Sequence, residues 1–222
     1  MIKIQDYNEE KGKIMFEADM SIGLANAIRR SALEIPIMAI DEVEIIKNDS
    51  ALFDEILAHR IGMVPIKTDK VSTKELQFKL KKKGPCTVYS TDFEPSIGVD
   101  FKLPLVILGE GQELELNVYA KPGKGIEHIK HSPGLIYYKH KLEEELLSLV
   151  SIDDTGKLEF DEEELKEKGI DEGIINKLKK ISKVEELTFN IESWGQLEVK
   201  EIFTKAIESL IKNLEELNKA VK

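Results

Sequence analysis

Four ionisable residues lie within seven positions of the stretch NDSALFDEILAHRIGMVP at residues 48–65, namely Asp54, Glu55, His59 and Arg60. Carboxylates beside an imidazole are the side chains of general acid–base catalysis and of metal sites. A helix that binds a hydrolytic metal needs two imidazoles and a general base in the pattern H-E-x-x-H, whereas this stretch has one imidazole. The spacing therefore favours a surface or interface role for the Glu55 and His59 pair over catalysis.

The same stretch is predicted to form a helix over residues 51–61, after the turn residues NDS. Drawn at about 100° per residue, this helix has one apolar side, which holds Leu52, Phe53, Ile56, Leu57 and Ile61. Arg60 falls in the middle of that side. Two explanations stay open: its charge suits the exposed carbonyls of a helix end marked by Gly62, or it pairs with a carboxylate on another chain.

A pair of arginines, Arg29 and Arg30, lies with Asn26 on the polar side of an earlier predicted helix. That helix begins after Ser21 and ends at Pro36, with apolar positions Leu24, Ala25, Ile28, Ala32 and Ile35. Adjacent arginines suit phosphate or carboxylate groups, or they are simply solvated. With 32 basic and 42 acidic residues the formal charge is −10, which repels nucleic acid. We therefore expect protein carboxylates as partners, and no direct nucleic-acid binding.

Metal and cofactor sites have little support in the sequence. His128 and His131 are three residues apart and His140 follows, but no cysteine or carboxylate cluster completes a site. Cys86 is the single cysteine, which excludes an intrachain disulfide and any zinc or iron–sulfur site built from several cysteines. The segment KPGKG at 121–125 lacks the G-K-[ST] ending of a phosphate loop. No catalytic residue, metal or cofactor is expected in this chain.

The N-terminus lacks a basic region followed by a long apolar run, and no stretch of 18 apolar residues occurs. A single cysteine suits a reducing compartment. The sequence thus predicts a cytoplasmic protein without membrane attachment.

Local patterns along the chain predict an α+β fold. IKIQDY and KIMFEA alternate apolar and polar residues around the turn NEEKG, which predicts a β-hairpin, and IMAIDEVEII predicts a strand. Residues 68–139 are mostly strand-like. Residues 141–186 hold 15 acidic and 8 basic residues and predict two short helices. A strand, LTFNIES, then precedes the longest helix.

That last helix carries a heptad repeat. Its apolar residues are spaced 4, 3, 4, 3 and 4 apart, and they are Phe203, Ile207, Leu210, Leu214, Leu217 and Val221. Ile202, Ala206 and Ile211 form a second stripe. Either one stripe covers the chain's own sheet and the other meets a second chain, or both are buried within this chain.

The stretch ANAIRRSALEIPIMAIDEVEIIKNDSALFDEILAHRIGMVPI resembles the D-type subunits of archaeal RNA polymerase, which are similar to the N-terminal domain of the bacterial alpha subunit and to the eukaryotic third-largest subunits. GPCTVYSTDF, LPLVILGEGQELELNVYAKPGKGIEHIKHSPGLIYYKH and LTFNIESWGQLEVKEIFTKAIESLI follow in the expected order. Residues 141–183 lack a clear counterpart, and His131 stands where relatives often have an aromatic residue. The resemblance thus covers most of the chain.

The resemblance implies a discontinuous dimerisation domain at 1–45 plus 184–222, made of an antiparallel sheet with two long helices. A β-rich insert domain at 46–183 would interrupt it, with the acidic helical segment at 141–183. The implied function is a non-catalytic platform of DNA-dependent RNA polymerase, a nucleotidyltransferase only as a complex, with zinc and magnesium in other subunits. Some relatives ligate an iron–sulfur cluster in the region of 141–183; no cysteine lies there, so no cluster is expected.

The implied partners are subunit L as heterodimer partner, the small zinc subunits N and P, and the second-largest catalytic subunit. The expected dimer interface comprises Leu24, Ile28, Phe203, Ile207, Leu210, Leu214, Leu217 and Val221. The expected docking residues are Asn26, Arg29, Arg30, Asp54, Glu55, His59 and Arg60. Two rival functions are a stand-alone homodimeric α+β regulatory or ligand-binding protein and a hydrolase using Glu55 and His59.

Overall fold

The computed structural model describes residues 2–68, 75–99, 101–140, 144–154, 157–183 and 186–221. In chain order its strands are β1 (Ile2–Asn8), β2 (Lys13–Asp19), β3 (Ile37–Asn48), β4 (Leu76–Lys83), β5 (Cys86–Tyr89), β6 (Pro104–Leu108), β7 (Glu113–Gly123), β8 (Gly134–His140), β9 (Ser151–Ile152), β10 (Leu158–Glu159) and β11 (Glu186–Ser193). Its α-helices are α1 (Ile22–Ser31), α2 (Asp54–Gly62), α3 (Glu162–Glu167), α4 (Glu172–Lys183) and α5 (Val199–Val221). The predicted α+β class is confirmed.

The first sheet is antiparallel throughout, in the order β1-β2-β11-β8. Alternation along β2 and β11 turns one face of the sheet inward, where α1 and α5 cover it. Phe16 and Phe189 stack with ring centroids 5.2 Å apart, and Phe203 of α5 packs edge-on against Phe16 at 4.8 Å. This aromatic cluster fixes the start of α5 on the sheet.

Helix α1 follows its sequence signals closely. The Ser21 side chain accepts a hydrogen bond from Leu24 N at 3.3 Å, so the predicted N-cap is confirmed. Ala25 and Ile28 are buried, and a 3₁₀ turn at Ala32–Glu34 ends the segment before Pro36. The helix has 10 residues, against 23 in α5.

The second sheet is antiparallel, in the order β3-β7-β4, with β7 at its centre. Leu114, Leu116 and Val118 of β7 are buried on the side where α2 and the β5–β6 hairpin complete a second core. The other side carries charged residues. The strand-rich prediction for the middle of the chain is confirmed.

The acidic segment has a small core of its own, made of Leu146, Leu165, Ile175 and Leu178. Both predicted short helices are present: Asp161 caps α3, and Asp171 accepts from Gly173 N at 2.9 Å at the start of α4. Strands β9 and β10 pair beside them. The segment is therefore folded where the structure describes it.

The domain boundaries at 45/46 and 183/184 stay a prediction, and the sheets do not follow them residue by residue. Strand β8, from the middle of the chain, pairs with β11 in the first sheet. Met38 and Ile40 of β3 pack in the second core. His131 is 6% exposed, and its Nδ1 donates to Ile37 O, at the start of β3, at 2.8 Å.

In the described part of the chain, none of the helices combines the length and apolar character that crossing a membrane requires.

Candidate functional site

Helix α2 starts at Asp54, three residues later than the predicted residue 51. The reason is that Asn48 closes a turn: its Nδ2 donates to Leu52 O at 2.9 Å and to Asp54 Oδ1 at 2.7 Å, and its Oδ1 accepts from Ser50 N at 3.1 Å. Side-chain bonds to nearby backbone of this kind compete with helix formation. The turn residues NDS therefore extend the loop rather than start the helix.

The projection placed Arg60 on the apolar side of α2, and the structure shows that this part of the apolar side is exposed. The buried stripe of α2 is narrow, with Leu57 and Ile61 at 0% exposure, whereas Phe53 and Ile56 are 75% and 49% exposed. Arg60 is exposed and lies outside that stripe. It is in the last turn of α2, the helix end that one of the two explanations predicted. Its Nη2 donates to Pro104 O of β6 at 2.8 Å, so the guanidinium ties α2 to the β5–β6 hairpin.

The other ionisable residues of α2 do not converge on a reaction centre. Asp54 is held by Asn48, and no hydrogen bond or ion pair of Glu55 or His59 appears in the described structure, where both side chains are exposed. Among the residues that can be placed, no group of three or more His, Cys, Asp and Glu side chains is arranged to hold a metal ion. What α2 presents is an open surface of apolar and charged side chains.

The polar side of α1 forms a second, separate surface. Asn26 Oδ1 accepts from Arg29 Nε at 3.2 Å and from Arg29 Nη2 at 2.9 Å, which orients that guanidinium. Arg30 next to it is exposed. Because α1 packs in the first core and α2 in the second, the expected docking residues lie on two surfaces rather than in one site.

The apolar residues of α5 are buried in the first half of the helix and exposed in the second half. In its first half Ile202 and Ala206 are fully buried, while the residues half-buried against the first core are Phe203, Ile207 and Leu210. Asn213 Nδ2 donates to Glu34 Oε1 at 3.0 Å, and residues 214–221 are all exposed. Ile211, Leu214, Leu217 and Val221 are 51%, 56%, 60% and 79% exposed.

The two expected interface residues of α1 also differ in exposure. Leu24 is 46% exposed, whereas Ile28 is 4% exposed and belongs to the first core. We call Leu24, Ile211, Leu214, Leu217 and Val221 the apolar surface. The sequence left two alternatives for α5: one stripe buried in this chain and the other facing a second chain, or both stripes buried in this chain. The structure matches neither, because each stripe is covered near the sheet and exposed towards the C-terminal end of the helix.

Two further exposed apolar residues, both on β1, were not predicted from the sequence. Ile2 and Ile4 pair with Ala18 and Phe16, so they point to the helix-bearing side of the first sheet, yet they are 56% and 55% exposed. The alternation of β1 was visible in the sequence, but it does not tell which strand lies at an edge. Uncovered apolar residues on an edge strand mark a place where a partner is expected.

The sequence model of the RNA polymerase Rpb3/Rpb11 dimerisation domain matches residues 15–214. The chain belongs to this family. The matched range contains α1 and most of α5, the two helices that carry the apolar surface. The family named by the sequence resemblance is thereby confirmed.

Several relatives of this Rpb3/Rpb11 domain are named DNA-directed RNA polymerase subunit Rpo3. The chain is 42% identical to that of Pyrococcus horikoshii over 155 residues, covering 63% of this chain and 60% of the relative. It is 32% identical to that of Natronomonas pharaonis, covering 89% and 88%, and 30% identical to that of Archaeoglobus fulgidus, covering 100% and 98%. The aligned part spans only 52% of the Thermococcus kodakarensis relative and 58% of the Pyrococcus furiosus relative.

Proposed function

We propose that this chain is a non-catalytic assembly platform of DNA-dependent RNA polymerase that forms a heterodimer with subunit L. The observation that carries the proposal is the open half of the α5 heptad repeat. Its first half is used by the chain's own core, while Leu214, Leu217 and Val221 continue the same seam in solvent. A heptad seam is completed by a partner helix, and the family is one of dimerisation domains.

The physical argument is the cost of exposing this surface. Each fully exposed leucine or valine side chain forgoes about 1.5–3 kcal/mol of burial free energy, so several in one row favour association. Leu24 lies on α1, which packs in the same core, and Ile2 and Ile4 lie on the helix-bearing side of the same sheet, so these exposed residues would widen the contact. An interface built from two helices and a strand edge suits a stable heterodimer.

A co-expression experiment tests the heterodimer. The full chain and subunit L of the same organism should elute as one 1:1 complex in size-exclusion chromatography with light scattering. The double variant Leu214→Glu with Leu217→Glu should weaken the complex at least about 100-fold, because two buried apolar contacts become buried charges. The fold should survive, since both residues are exposed in the chain alone.

The matched control is Lys212→Gln with Lys219→Gln, which changes the net charge by the same two units away from the heptad seam of α5. It should leave the complex intact. A stable homodimer that excludes subunit L would contradict the proposal and support the regulatory homodimer instead. Equal weakening by both double variants would point to charge rather than to the apolar surface.

The charged surfaces of α1 and α2 complete the proposed platform. Asn26, Arg29 and Arg30 on α1, and Asp54, Glu55, His59 and Arg60 on α2, would dock the zinc subunits N and P and the second-largest subunit. Charges that are exposed and only partly paired within the chain supply specificity and association rate in such contacts. The formal charge of −10 disfavours nucleic acid as their ligand.

The chemistry of transcription belongs to other subunits in this proposal. Nucleotidyl transfer by two metal ions needs clustered carboxylates, which we assign to the large subunits together with magnesium. We assign zinc to the small subunits. In the same proposal this chain holds no cofactor, and it contains no iron–sulfur cluster because residues 141–183 have no cysteine and Cys86 is single.

A further inference from the structure

In the described part of the chain, the polypeptide passes twice between the two sheets. The first passage is in β3, where Ile37 packs in the first core and the next residue, Met38, packs in the second. The second passage is the connection from the end of β7 at Gly123 to the start of β8 at Gly134. This connection contains a 3₁₀ turn, Ile129–His131. The relative orientation of the two sheets therefore depends on how these two passages are held.

His131 of this turn is bonded directly to the first passage. The residue is buried, and its Nδ1 donates to Ile37 O at 2.8 Å. Since a carbonyl oxygen can only accept, Nδ1 carries the proton of the imidazole. Burial lowers the pKa of His131 below its usual 6.5, against the opposing effect of the bond to Ile37 O, so the ring is neutral at neutral pH. A buried hydrogen bond thus joins the two passages.

Lys130 makes a second link to the same strand. Its Nζ donates to Ile40 O at 3.1 Å and to Asp41 Oδ1 at 2.9 Å. Asp41 is the residue at which the register of β3 against β7 shifts. The hydrogen bond from Lys130 lowers the pKa of the Asp41 carboxyl, so the two side chains form an ion pair at neutral pH. Because the Lys130 side chain is only 15% exposed, this pair is screened less than a fully exposed one.

Gly123, the last residue of β7, leaves room for the imidazole. A Cβ at this position would lie 2.5 Å from Nε2 of His131 and 2.7 Å from its Cε1, which is too close for a side chain. The backbone of β7 therefore packs directly against the ring. Gly123 also pairs with Ile37 of β3 across the second sheet. The ring is thus held where the end of β7 meets the start of β3.

Thr68 holds the other end of the same peptide group of β3. Met38 N donates to Thr68 Oγ1 at 3.1 Å, and Thr68 N donates to Gln196 O, between β11 and α5, at 2.8 Å. The C=O of Ile37 and the N–H of Met38 belong to one trans peptide unit, so they point in opposite directions. His131 and Thr68 therefore bind the first passage from opposite sides. One attachment would allow the two sheets to rotate about the strand, whereas two opposed attachments restrict this rotation.

We propose that His131 and Lys130 are positioning residues that bind the first passage and thereby fix the orientation of one sheet relative to the other. We call these two residues the clasp. Because α1 packs in the first core and α2 in the second, the clasp also sets the relative orientation of the two docking surfaces. This last consequence rests on the proposed function, in which α1 and α2 dock other subunits. The clasp itself does not depend on it.

The test measures the orientation as a distance between two spin labels by double electron–electron resonance. In the full chain with Cys86→Ser, the labels are attached at Glu208→Cys on α5 and Lys81→Cys on β4, two exposed positions. We expect one narrow distance distribution for this labelled chain, and a shifted or broader one when His131→Leu is added. His131→Asn should restore the narrow distribution, because its amide nitrogen can donate to Ile37 O in place of Nδ1. A loss of stability alone would leave the distance within the folded chain unchanged.

A second variant, Lys130→Met, removes the other link of the clasp and keeps the test decisive if His131→Leu does not fold. It should also shift or broaden the distance distribution. Lys124→Met is the matched control, since it makes the same change in the same connection. Lys124 Nζ lies 3.9 Å from Glu34 Oε2 of the first core's own 3₁₀ turn and makes no bond to β3 in the described structure. This control should leave the distribution as narrow as in the parent chain.

Assembly is measured separately on the same variants. A partner that contacts both docking surfaces binds only the fraction of molecules in the right orientation. His131→Leu and Lys130→Met should therefore weaken binding of the second-largest subunit, about tenfold if that fraction falls to roughly a tenth. Binding of subunit L should stay unchanged, because the apolar surface lies entirely on α1 and α5 of the first core.

Equally narrow distributions in the parent chain, His131→Leu and Lys130→Met would overturn the proposal. Equal broadening by Lys124→Met would also overturn it, because the effect would then belong to the whole connection and not to the clasp. A changed distance with unchanged binding of the second-largest subunit would overturn the link to assembly. Failure of the unmodified chain to bind either subunit would count against the proposed function instead, and the distance measurement would still decide on the clasp.

Discussion

The outer face of the second sheet and the C-terminal half of α5 are both exposed, but they differ in what the chain supplies to them. On the sheet, charged residues pair across strands: Lys47 with Glu113 at 2.9 Å, Lys83 with Glu113 at 3.1 Å, Lys81 with Glu115 at 2.7 Å and Lys121 with Glu42 at 2.6 Å. On α5, apolar residues stand in a row without cover. Charged groups that pair with one another on a surface need no further partner. An exposed row of apolar side chains is instead stabilised when a second chain buries it.

The energies of the two faces support this contrast. Exposed ion pairs contribute roughly 0–1 kcal/mol each, so the sheet face gains little by being covered. Covering it would also require several charges to lose water. An apolar row gains free energy on burial and loses little, which makes α5 the better candidate for an interface.

The largest expected effect separates the two halves of α5 in the isolated chain. Ile202→Ala should lower the free energy of unfolding by about 2–5 kcal/mol, because it leaves a cavity beneath a fully buried side chain. Leu214→Ala removes an exposed side chain and should change it by no more than about 0.5 kcal/mol. Urea denaturation followed by circular dichroism measures both.

The pair of variants has a built-in control, since both replace one large aliphatic residue of the same helix by alanine, a strong helix former. A similar loss in both would mean that the C-terminal half of α5 is covered by this chain. The contrast between a closed and an open surface would then fail.

Local signals predicted the parts of this fold that neighbouring residues determine. The Ser21 cap and the alternation along β2 and β11 depend on residues close in sequence, and the structure has them where expected. The heptad repeat correctly predicted a long amphipathic helix. It could not tell which turns the sheet would cover, because that depends on where the sheet ends in space.

Long-range partners were beyond the sequence. The pairing of β8 with β11 spans the whole acidic segment, and no local pattern indicates it. The burial of His131 depends on Ile37, which is distant in sequence. The projection grouped Arg60 with Phe53 and Ile56 on one apolar side, but it could not tell that α2 packs through a narrower stripe that leaves these residues exposed.

An intermediate effect on stability is expected in α2, whose surface carries both apolar and charged side chains. Arg60→Ala should lower the free energy of unfolding by about 0.5–1.5 kcal/mol, because one hydrogen bond to Pro104 O is lost. It should also weaken co-purification with the second-largest subunit. Lys83→Ala, which removes one ion pair from the sheet face, is the control and should leave assembly unchanged. If Arg60→Ala alters neither stability nor assembly, α2 is not a docking surface.

The smallest expected effect is on the sheet face and appears only in acid. Hydrogen bonds from Lys47 and then Lys83 lower the pKa of the Glu113 carboxyl from 4.5 to about 2. A lowered folded-state pKa means that the contribution of Glu113 to stability is present above about pH 4.5 and is lost as the pH falls towards 2. Glu113→Gln should therefore flatten the pH dependence of stability in this window, as urea denaturation at a series of pH values would measure.

Glu110→Gln, in the exposed turn that precedes β7, is the control and should keep the pH dependence of the unmodified chain. The difference between the two variants should shrink in about 1 M salt, which screens exposed pairs. Neither change should affect binding of subunit L, because the ion pairs of the sheet face are complete within this chain. Loss of the heterodimer in Glu113→Gln would show that the sheet face is also an interface, which is the result that the comparison with α5 excludes.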